Sequence, residues 1–410
     1  EHEKNQGRKV LNVPNKREQN QTCLDSAERQ GLRPKGNVPN LRFPEFEGEW
    51  EESTIGEMFD LYSGNTPSRL NKEHFKGTVN WISSGELKEH YIYSSKEQIS
   101  EEAAKSLKLL PVGTFVIAIY GLEAEGVRGT GSITQEPSTI SQACMSFISK
   151  GVIENEFLYS WYKKHGNVIG IRYAQGTKQQ NLSYDILEKF RIVYPKTKEQ
   201  EKLNKFISLL DERIVTQNKI IDKLQSLIKG ISNKIFESLQ GQECRLGDIA
   251  TITNGNSNVQ DAVTEYRDDL YPFFDRSEEI KYLPTFLFDK EAIIYPGEGA
   301  DFFPRYINGK FALHQRCYAI FDFNKAVNPQ FLYCFLKTQN SYFIRNAVGS
   351  TVPSLRLDTF QKLKVIVPSK KTQSIVSSLL FTLEKKHNSE KMLLQTLLKQ
   401  KQYLLRQMFI

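Results

Sequence analysis

The 410-residue chain has no apolar run long enough to cross a membrane: stretches such as Phe115 to Ile119 fall far short of the roughly 18 residues a spanning helix needs. Its N-terminus is polar and carries no apolar signal core, so export is not expected. The cysteines (Cys23, Cys144, Cys244, Cys317 and Cys334) are odd in number, scattered, and form no Cys-x-x-Cys pair. Neither a disulfide scaffold nor a zinc ribbon is expected from them, and a reducing cytoplasm is the natural compartment. The six histidines show no His-x3-His or His-Glu-x-x-His spacing, so no metal site is expected. There is no Gly-x4-Gly-Lys-[Ser/Thr] loop to grip ATP, no Gly-x-Gly-x-x-Gly after a strand, and no Gly-x-Ser-x-Gly elbow.

What is present is a globular composition, 39% hydrophobic and 25% charged, on a length that suggests two to three domains. The 55 basic residues exceed the 48 acidic ones by 7, a balance compatible with nucleic acid without being diagnostic of it. An internal repeat then organises the chain. YAQGTKQQNLSYDILEKFRIVYPKTKEQ from Tyr173 aligns with NAVGSTVPSLRLDTFQKLKVIVPSKKTQ from Asn346, placing Ala174, Gly176, Leu182, Asp185, Lys189, Pro195, Lys198 and Gln200 on Ala347, Gly349, Leu355, Asp358, Lys362, Pro368, Lys371 and Gln373. The register continues ungapped to Phe236 and Phe409. Upstream, Gly56 and Gly64 pair with Gly247 and Gly255, NWISSGEL at Asn80 with PFFDRSEE at Pro272, and ISQACMSFI at Ile140 with LHQRCYAIF at Leu313.

The chain is therefore read as two copies of one mixed α/β module, each a globular part followed by a long helix. The boundaries are a flexible polar leader over 1–40, a first domain over 41–195, a helix over 196–240, a second domain over 241–368 and a second helix over 369–410. Phe115 to Tyr120, Arg191 to Tyr194, Ala292 to Tyr295 and Leu363 to Val367 read as strands; Phe157 to Lys164 and Phe331 to Lys337 read as short helices.

The helices carry the clearest periodicity. Ile207, Ile214, Ile221, Ile228 and Ile235 recur every seven residues, with Leu203, Leu210, Gln217, Leu224 and Ile231 between them. In the second copy Leu380, His387, Leu394, Lys401 and Met408 alternate with Val376, Leu383, Glu390, Leu397 and Leu404. Such a heptad specifies a seam facing another helix, and polar Gln217 and Glu390 at equivalent seam positions suit a register device. A long core helix or a homodimeric coiled coil would show the same pattern. The in-chain duplication favours the two helices pairing with each other as an antiparallel coiled coil of pseudo-twofold character, with the seam on Ile207, Leu210, Ile214, Ile221, Leu224, Ile228, Leu383, Leu394, Leu397 and Leu404. Ile220, Leu227, Leu393, Leu398 and Leu405 lie off that seam, as residues of a partner surface would.

Two near-motifs are better read as structure. Asn328-Pro329-Gln330-Phe331 approaches the Asn-Pro-Pro-[Tyr/Phe] motif of amino-methyltransferases, but the second proline is missing and no glycine-rich cofactor loop precedes it; a helix N-cap followed by a buried Phe fits better. Glu86-Leu87-Lys88 has Glu278-Glu279-Ile280 as its repeat partner, without the lysine, and reads as a solvated turn rather than part of a nuclease cluster.

With the opening segment LRFPEFEGEW at Leu41, the Gly-Asn-Thr-Pro turn at Gly64, QGTKQQNLSYDIL at Gln175 and the paired long helices, the chain resembles the specificity subunit of a type I restriction–modification system. The resemblance implies a non-catalytic subunit whose two target-recognition domains each read half of a bipartite double-stranded DNA target, while the helices act as spacer and docking platform for two methyltransferase subunits. It places S-adenosylmethionine in those subunits, and ATP and Mg in restriction subunits, leaving this chain without a cofactor of its own in the cytoplasm, at the nucleoid. The second copy departs in detail, with Gly255-Asn256-Ser257-Asn258 as its turn and Gly349-Ser350-Thr351-Val352-Pro353-Ser354 in place of Gly-Thr-Lys-Gln-Gln-Asn.

Base edges call for amide and guanidinium groups on exposed loops, and phosphates for Lys and hydroxyls. In the first domain the candidates are Asn65, Thr66, Ser68, Arg69, Ser83, Ser84, Tyr120, Arg128, Lys178, Gln179, Gln180 and Asn181. In the second they are Asn256, Asn258, Arg276, Ser277, Arg305, Tyr306, His314, Arg316, Ser350 and Thr351. Each has the alternative of capping a turn. A protein-interaction scaffold with two α/β modules clamping a protein partner, or an enzyme with an unfamiliar site, are the rival classes.

If the helices measure the gap between half-sites, one added turn of four residues lengthens them by roughly 6 Å, close to two base pairs at about 3.4 Å each. Inserting four apolar-patterned residues after Ile221 is expected to widen the non-specific spacer of the methylated motif by one or two base pairs, at some cost in stability because the heptad is broken. Mapping the methylated motif in cells carrying the insertion checks this, and an unchanged spacer at full activity would remove the helices as a ruler.

Overall fold

The computed structural model describes residues 36–124, 126–176 and 180–410. The leader up to residue 35, Cys23, Lys178 and Gln179 lie outside the described residues. Two compact units divide the chain, the first holding the described residues up to Ile214 with Thr396–Ile410, the second Val215–Gln395. Each unit thus owns a globular part and a stretch of both long helices, Thr197–Ser238 and Lys370–Met408.

The strands of the first unit are β1 (Glu51–Thr54), β2 (Phe59–Ser63), β3 (Val79–Ile82), β4 (Tyr91–Ile92), β5 (Glu97–Ile99), β6 (Phe115–Ala118), β7 (Gly131–Thr134), β8 (Ser138–Ile140), β9 (Cys144–Ser149) and β10 (Arg191–Tyr194). They form a five-stranded sheet ordered β2-β9-β6-β7-β4, a three-stranded sheet β5-β3-β8 and the pair β1-β10. Strand β6, Phe-Val-Ile-Ala, is buried throughout, as a central strand covered on both faces must be. The helix Asn155–Tyr173 covers the sheet with Phe157, Leu158, Tyr159 and Tyr162. It runs well beyond the Phe157 to Lys164 stretch legible in the sequence. Gly166 lets it pass close to the preceding loop, because a Cβ there would lie 2.7 Å from Gly129 Cα.

The second unit holds β11 (Gln242–Arg245), β12 (Thr251–Asn254), β13 (Tyr271–Phe274), β14 (Lys281–Leu283), β15 (Phe288–Pro296), β16 (Arg305–Leu313), β17 (Cys317–Phe321) and β18 (Lys364–Val367). One six-stranded sheet runs β12-β17-β15-β16-β13-β14, and β11 pairs with β18. The repeat is visible strand by strand. Antiparallel β2·β9 matches β12·β17, parallel β3·β8 matches β13·β16, and antiparallel β1·β10 matches β11·β18. The helix Pro329–Lys337 opens on Asn328, whose Oδ1 accepts from the backbone N–H of Gln330 (2.9 Å) and Phe331 (3.3 Å). Phe331 is buried, so the Asn-Pro-Gln-Phe string is a cap and a core anchor.

At the root of each long helix the same glutamine is fully buried and fully bonded. Gln200 Nε2 donates to the carbonyls of Pro195 (2.8 Å) and Val152 (3.0 Å), and its Oε1 accepts from Glu154 N–H (2.9 Å). Gln373 Nε2 donates to Pro368 (2.9 Å) and Ala326 (2.9 Å), and its Oε1 accepts from Asn328 N–H (2.7 Å). The prolines that close the last strand of each domain are therefore gripped by the helix that follows.

Within each unit the two helix stretches run antiparallel. In the first, Leu203 and Ile207 share a core with Leu405, Met408 and Phe409, and Lys401 pairs with Asp211 at 2.5 Å. In the second, Ile231 and Ile235 meet Val376, Leu380 and Leu383, and Gln217 Nε2 donates to the Glu390 carboxylate at 2.5 Å. All ten seam residues are buried or half-buried, Ile207, Ile214, Ile221 and Leu397 most deeply. Ile220, Leu227, Leu393 and Leu398 are exposed as expected. Leu405 is not: it is 6% exposed and belongs to the first unit's core with Phe157, because the helix there is covered by the domain as well as by its partner helix. The LRFPEF segment is held in the same unit, with Arg42 Nε and Nη2 each 2.7 Å from the buried Glu199 carboxylate and Phe43 edge-on to Phe206.

One histidine ties the first domain to its helix stretches. His90 lies flat between the rings of Tyr91 (4.1 Å) and Tyr159 (3.9 Å), with Nε2 2.8 Å from Glu156 and Nδ1 3.4 Å from Asp211. Burial pushes its pKa down, but the bonds to Asp211 and Glu156 outweigh it and hold the value above the ordinary 6.5. A raised value means that the stabilisation is complete below the free-histidine value and is lost as pH rises through the folded one. In thermal unfolding, the gap between wild type and His90→Gln is expected to be widest near about pH 6 and to shrink toward about pH 9; a gap independent of pH would show His90 held neutral.

Candidate nucleic-acid interface

Backbone bonds gather the candidate loops of each domain at one rim. In the first domain Gly64 N–H donates to Cys144 O (3.2 Å), Asn65 to Ile140 (3.1 Å), Ser141 to Ile82 (2.9 Å), Ile119 to Ala143 (2.9 Å), Leu182 to Ile119 (2.9 Å) and Leu122 to Gln180 (3.0 Å). The loops after Gly64, Ile82, Ile119, Ile140 and Gln175 are thereby neighbours. The second domain repeats the chain of contacts: Gly255 to Cys317 (3.2 Å), Ser257 to Leu313 (3.1 Å), His314 to Phe274 (2.9 Å), Leu355 to Gly297 (2.8 Å) and Gly299 to Pro353 (3.1 Å). Glycine is required where the first loop leaves its strand, since a Cβ on Gly64 would lie 2.2 Å from Ile140 O and one on Gly255 2.0 Å from Leu313 O.

In the first domain Asn65 Oδ1 accepts from Thr66 N–H (2.8 Å) and its carbonyl accepts from Trp81 Nε1 (3.0 Å), which fixes the turn that carries Thr66, Ser68 and Arg69. Arg69 forms a two-bond pair with Glu97 (2.9 and 2.8 Å) over the Phe75 ring. Ser83 is tied to Glu86 (2.7 Å), a turn-capping role, with Ser84 beside it. Tyr120 is half-buried against the core, and Arg128 donates to the Leu122 and Glu123 carbonyls. Gln180 N–H is held by the Glu123 carboxylate (2.8 Å), while Asn181 pairs through its backbone with Gln175.

In the second domain a cleft of about 530 Å³ brings together Arg276, Ser277, His314 and Arg316 with Asp275, Lys281, Glu298 and Gln315. Asp275 is 7% exposed; burial pushes its carboxyl up, but Lys281 (2.6 Å) and Ser277 hold it below the ordinary range. Arg305 donates to Ser277 O and so braces the same loop. Asn256 and Asn258 stand exposed on the first loop, and Ser350 and Thr351 at the tip of the hairpin closed by Val348 and Ser354. Tyr306 is not brought to the cleft. Its hydroxyl bonds Glu291 and its ring packs 5.6 Å from Tyr333, because alternate residues of β16 face opposite sides of the sheet. Sequence reasoning missed Asp275, Lys281, Glu298, Gln315 and Glu97. Acidic Asp275, Glu298 and Glu97 carry no signal in a search for DNA contacts, and only the fold shows that Glu298 and Glu97 brace Arg316 and Arg69 and brings Lys281 and Gln315 to the cleft.

Residues 47–226 and 241–399 match the family model described as the type I restriction modification DNA specificity domain. The chain belongs to the type I restriction–modification specificity family. It is 25% identical over 365 residues, 78% of this chain and 83% of the relative, to the type I restriction enzyme MjaIX specificity subunit of Methanocaldococcus jannaschii. It is 30% identical over 189 residues, 45% of each chain, to the EcoR124I/EcoR124II specificity subunit of Escherichia coli. In fold it resembles the S subunit of a type I restriction-modification system from M. genitalium, with TM-score 0.60, 19% identity, and coverage of 91% of this chain and 99% of that one. A chain from work on assembly and conformational transition of the type I R-M system gives TM-score 0.58 at 12% identity, covering 88% of this chain and 97% of that one.

Gly255→Ala forces the turn carrying Asn256 and Asn258 to move, at a cost of about 1–3 kcal/mol. The expected outcome is a DNA footprint weakened over one half-site with the other intact. Protection unchanged on both sides would show that this turn is not at the DNA.

Proposed function

We propose that this specificity-family chain is the DNA-reading, non-catalytic subunit of a type I restriction–modification enzyme, each domain reading one half of a bipartite duplex target. The observation that carries this reading is the pair of loop rims held by matching backbone bonds yet bearing different side chains: Ser141-Gln142-Ala143 in one and His314-Gln315-Arg316 in the other. Equal scaffolds with unequal donors and acceptors suit two different half-sites. The rims offer hydroxyls, amides and guanidinium groups, the chemistry of base edges and phosphates. Lys178 and Gln179 are proposed contacts of the first domain on sequence grounds alone.

The exposed apolar residues Ile220, Leu227, Leu393 and Leu398 on the helices supply docking surface for two methyltransferase subunits. In this reading S-adenosylmethionine and the adenine chemistry belong to those subunits, ATP and Mg to restriction subunits, and the assembly acts on DNA in the cytoplasm. Among the described residues no helix is long and apolar enough to cross a membrane, and no group of three His, Cys, Asp or Glu side chains is placed to hold a metal.

Exchange of residues 46–195 for the first domain of another family member, in the assembled methyltransferase, tests the assignment. One half of the methylated motif is expected to change, and binding is expected to fall steeply with salt as counterions are released. A motif changed in both halves or in neither would overturn it, and salt-independent binding would favour a protein scaffold.

A further inference from the structure

Arg316 stands out in the second-domain cleft because both ends of its side chain are fixed while one edge of its guanidinium is open. The backbone end is held by the turn it sits on. His314 N–H donates to Phe274 O (2.9 Å), Gln315 N–H to Ser257 O (3.3 Å) and Cys317 N–H to His314 O (2.9 Å). The Arg316 N–H itself donates to His314 Nδ1 (3.2 Å). Gly297 packs so tightly over the Arg316 carbonyl that a Cβ there would come within 2.0 Å of its oxygen. At the far end Nη1 donates to both oxygens of Glu298, at 2.7 and 2.9 Å. The Glu298 side chain is 18% exposed, the Arg316 side chain 62%. Among the described residues Nε and Nη2 of Arg316, a residue lining the cleft, make no further hydrogen bond, so the Nε/Nη2 fork is unengaged.

That fork offers two parallel N–H donors, as the O6 and N7 acceptors of guanine in the major groove require. A surface arginine loses much rotamer entropy when it is ordered on a base, whereas one already braced by a carboxylate pays little of it. The brace also selects: the Glu298 carboxylate repels phosphate and accepts from the amino group that cytosine presents beside its paired guanine. We propose that Arg316 and Glu298 act as a unit that reads one G·C base pair in the half-site of the second domain. The first domain has Ala143 at the position of Arg316, so this contact belongs to one half-site only. The inference rests on the DNA-reading function proposed above and names one of its specificity determinants.

The test uses the assembled methyltransferase, with the methylated motif mapped by sequencing and binding measured on duplexes carrying each substitution in the second half-site. For Arg316→Ala the expected result is loss of discrimination at one G·C position, with cognate affinity reduced about tenfold to a hundredfold and all other positions unchanged. For Glu298→Ala, which leaves the arginine in place, discrimination at that same position falls while binding to unrelated DNA tightens, because a negative charge has left the rim. The inference is overturned if Arg316→Ala weakens every sequence equally with a salt slope smaller by about one, the signature of a phosphate contact. It is equally overturned if all positions stay sharp in either variant, or if the wild-type second half-site contains no G·C pair. None of those outcomes touches the DNA-reading function itself, which fails only if exchanging a domain leaves the motif unchanged or alters both halves.

Discussion

A buried amide repeated in both copies ties each domain to the long helix that follows it. Gln200 and Gln373 each spend both donors and the acceptor on backbone groups: the proline carbonyl that ends the domain's last strand, and a carbonyl and an N–H at the start of the helix covering the domain. A buried primary amide with every bond made is a strong constraint because removing it strands three backbone groups at once, each worth about 1–3 kcal/mol. It fixes the angle at which a long helix leaves its domain. In the first unit the Arg42–Glu199 pair and the His90 sandwich add charge-assisted ties from other segments to the same helix.

On this fixed scaffold the two domains differ where difference is cheap. The strand pairings, the close-approach glycines at 64 and 255 and the capped loops are shared, and these carry the packing energy. The side chains beyond them are exposed or half-exposed, so substitutions there cost the fold little. The second rim is built around braced charges, with Lys281 on Asp275 and Glu298 on Arg316; the first has the more exposed Arg69–Glu97 pair. Bracing orders a cation in advance of binding and keeps the rim from acting as an undifferentiated basic surface.

The helices combine an apolar seam with polar pairs, Lys401 with Asp211 in the first unit and Gln217 with Glu390 in the second. Gln217 bonds Glu390 inside the second unit, and a polar pair of that kind penalises any slipped register, in which one partner would be buried alone. Both residues fall on seam positions of the heptad, at matching places in the repeat.

Read alone, the residues determined the duplication, the module order, the strand-ending prolines, the heptad seam and the lack of familiar catalytic motifs, because each is written in spacing along the chain. The tertiary structure decided the rest. The parallel pairings β3·β8 and β13·β16 bring residues far apart in sequence to one rim, and no local period records which loops will meet. The inward turn of Tyr306 follows from which face of β16 is covered, and the burial of Leu405 from a domain packing on a helix flank that the heptad leaves polar or exposed by rule. The acidic partners of the basic candidates Arg69 and Arg316 were invisible for a related reason: a brace is defined by a distance of under 3 Å between side chains on segments far apart in sequence, and only the fold sets that distance.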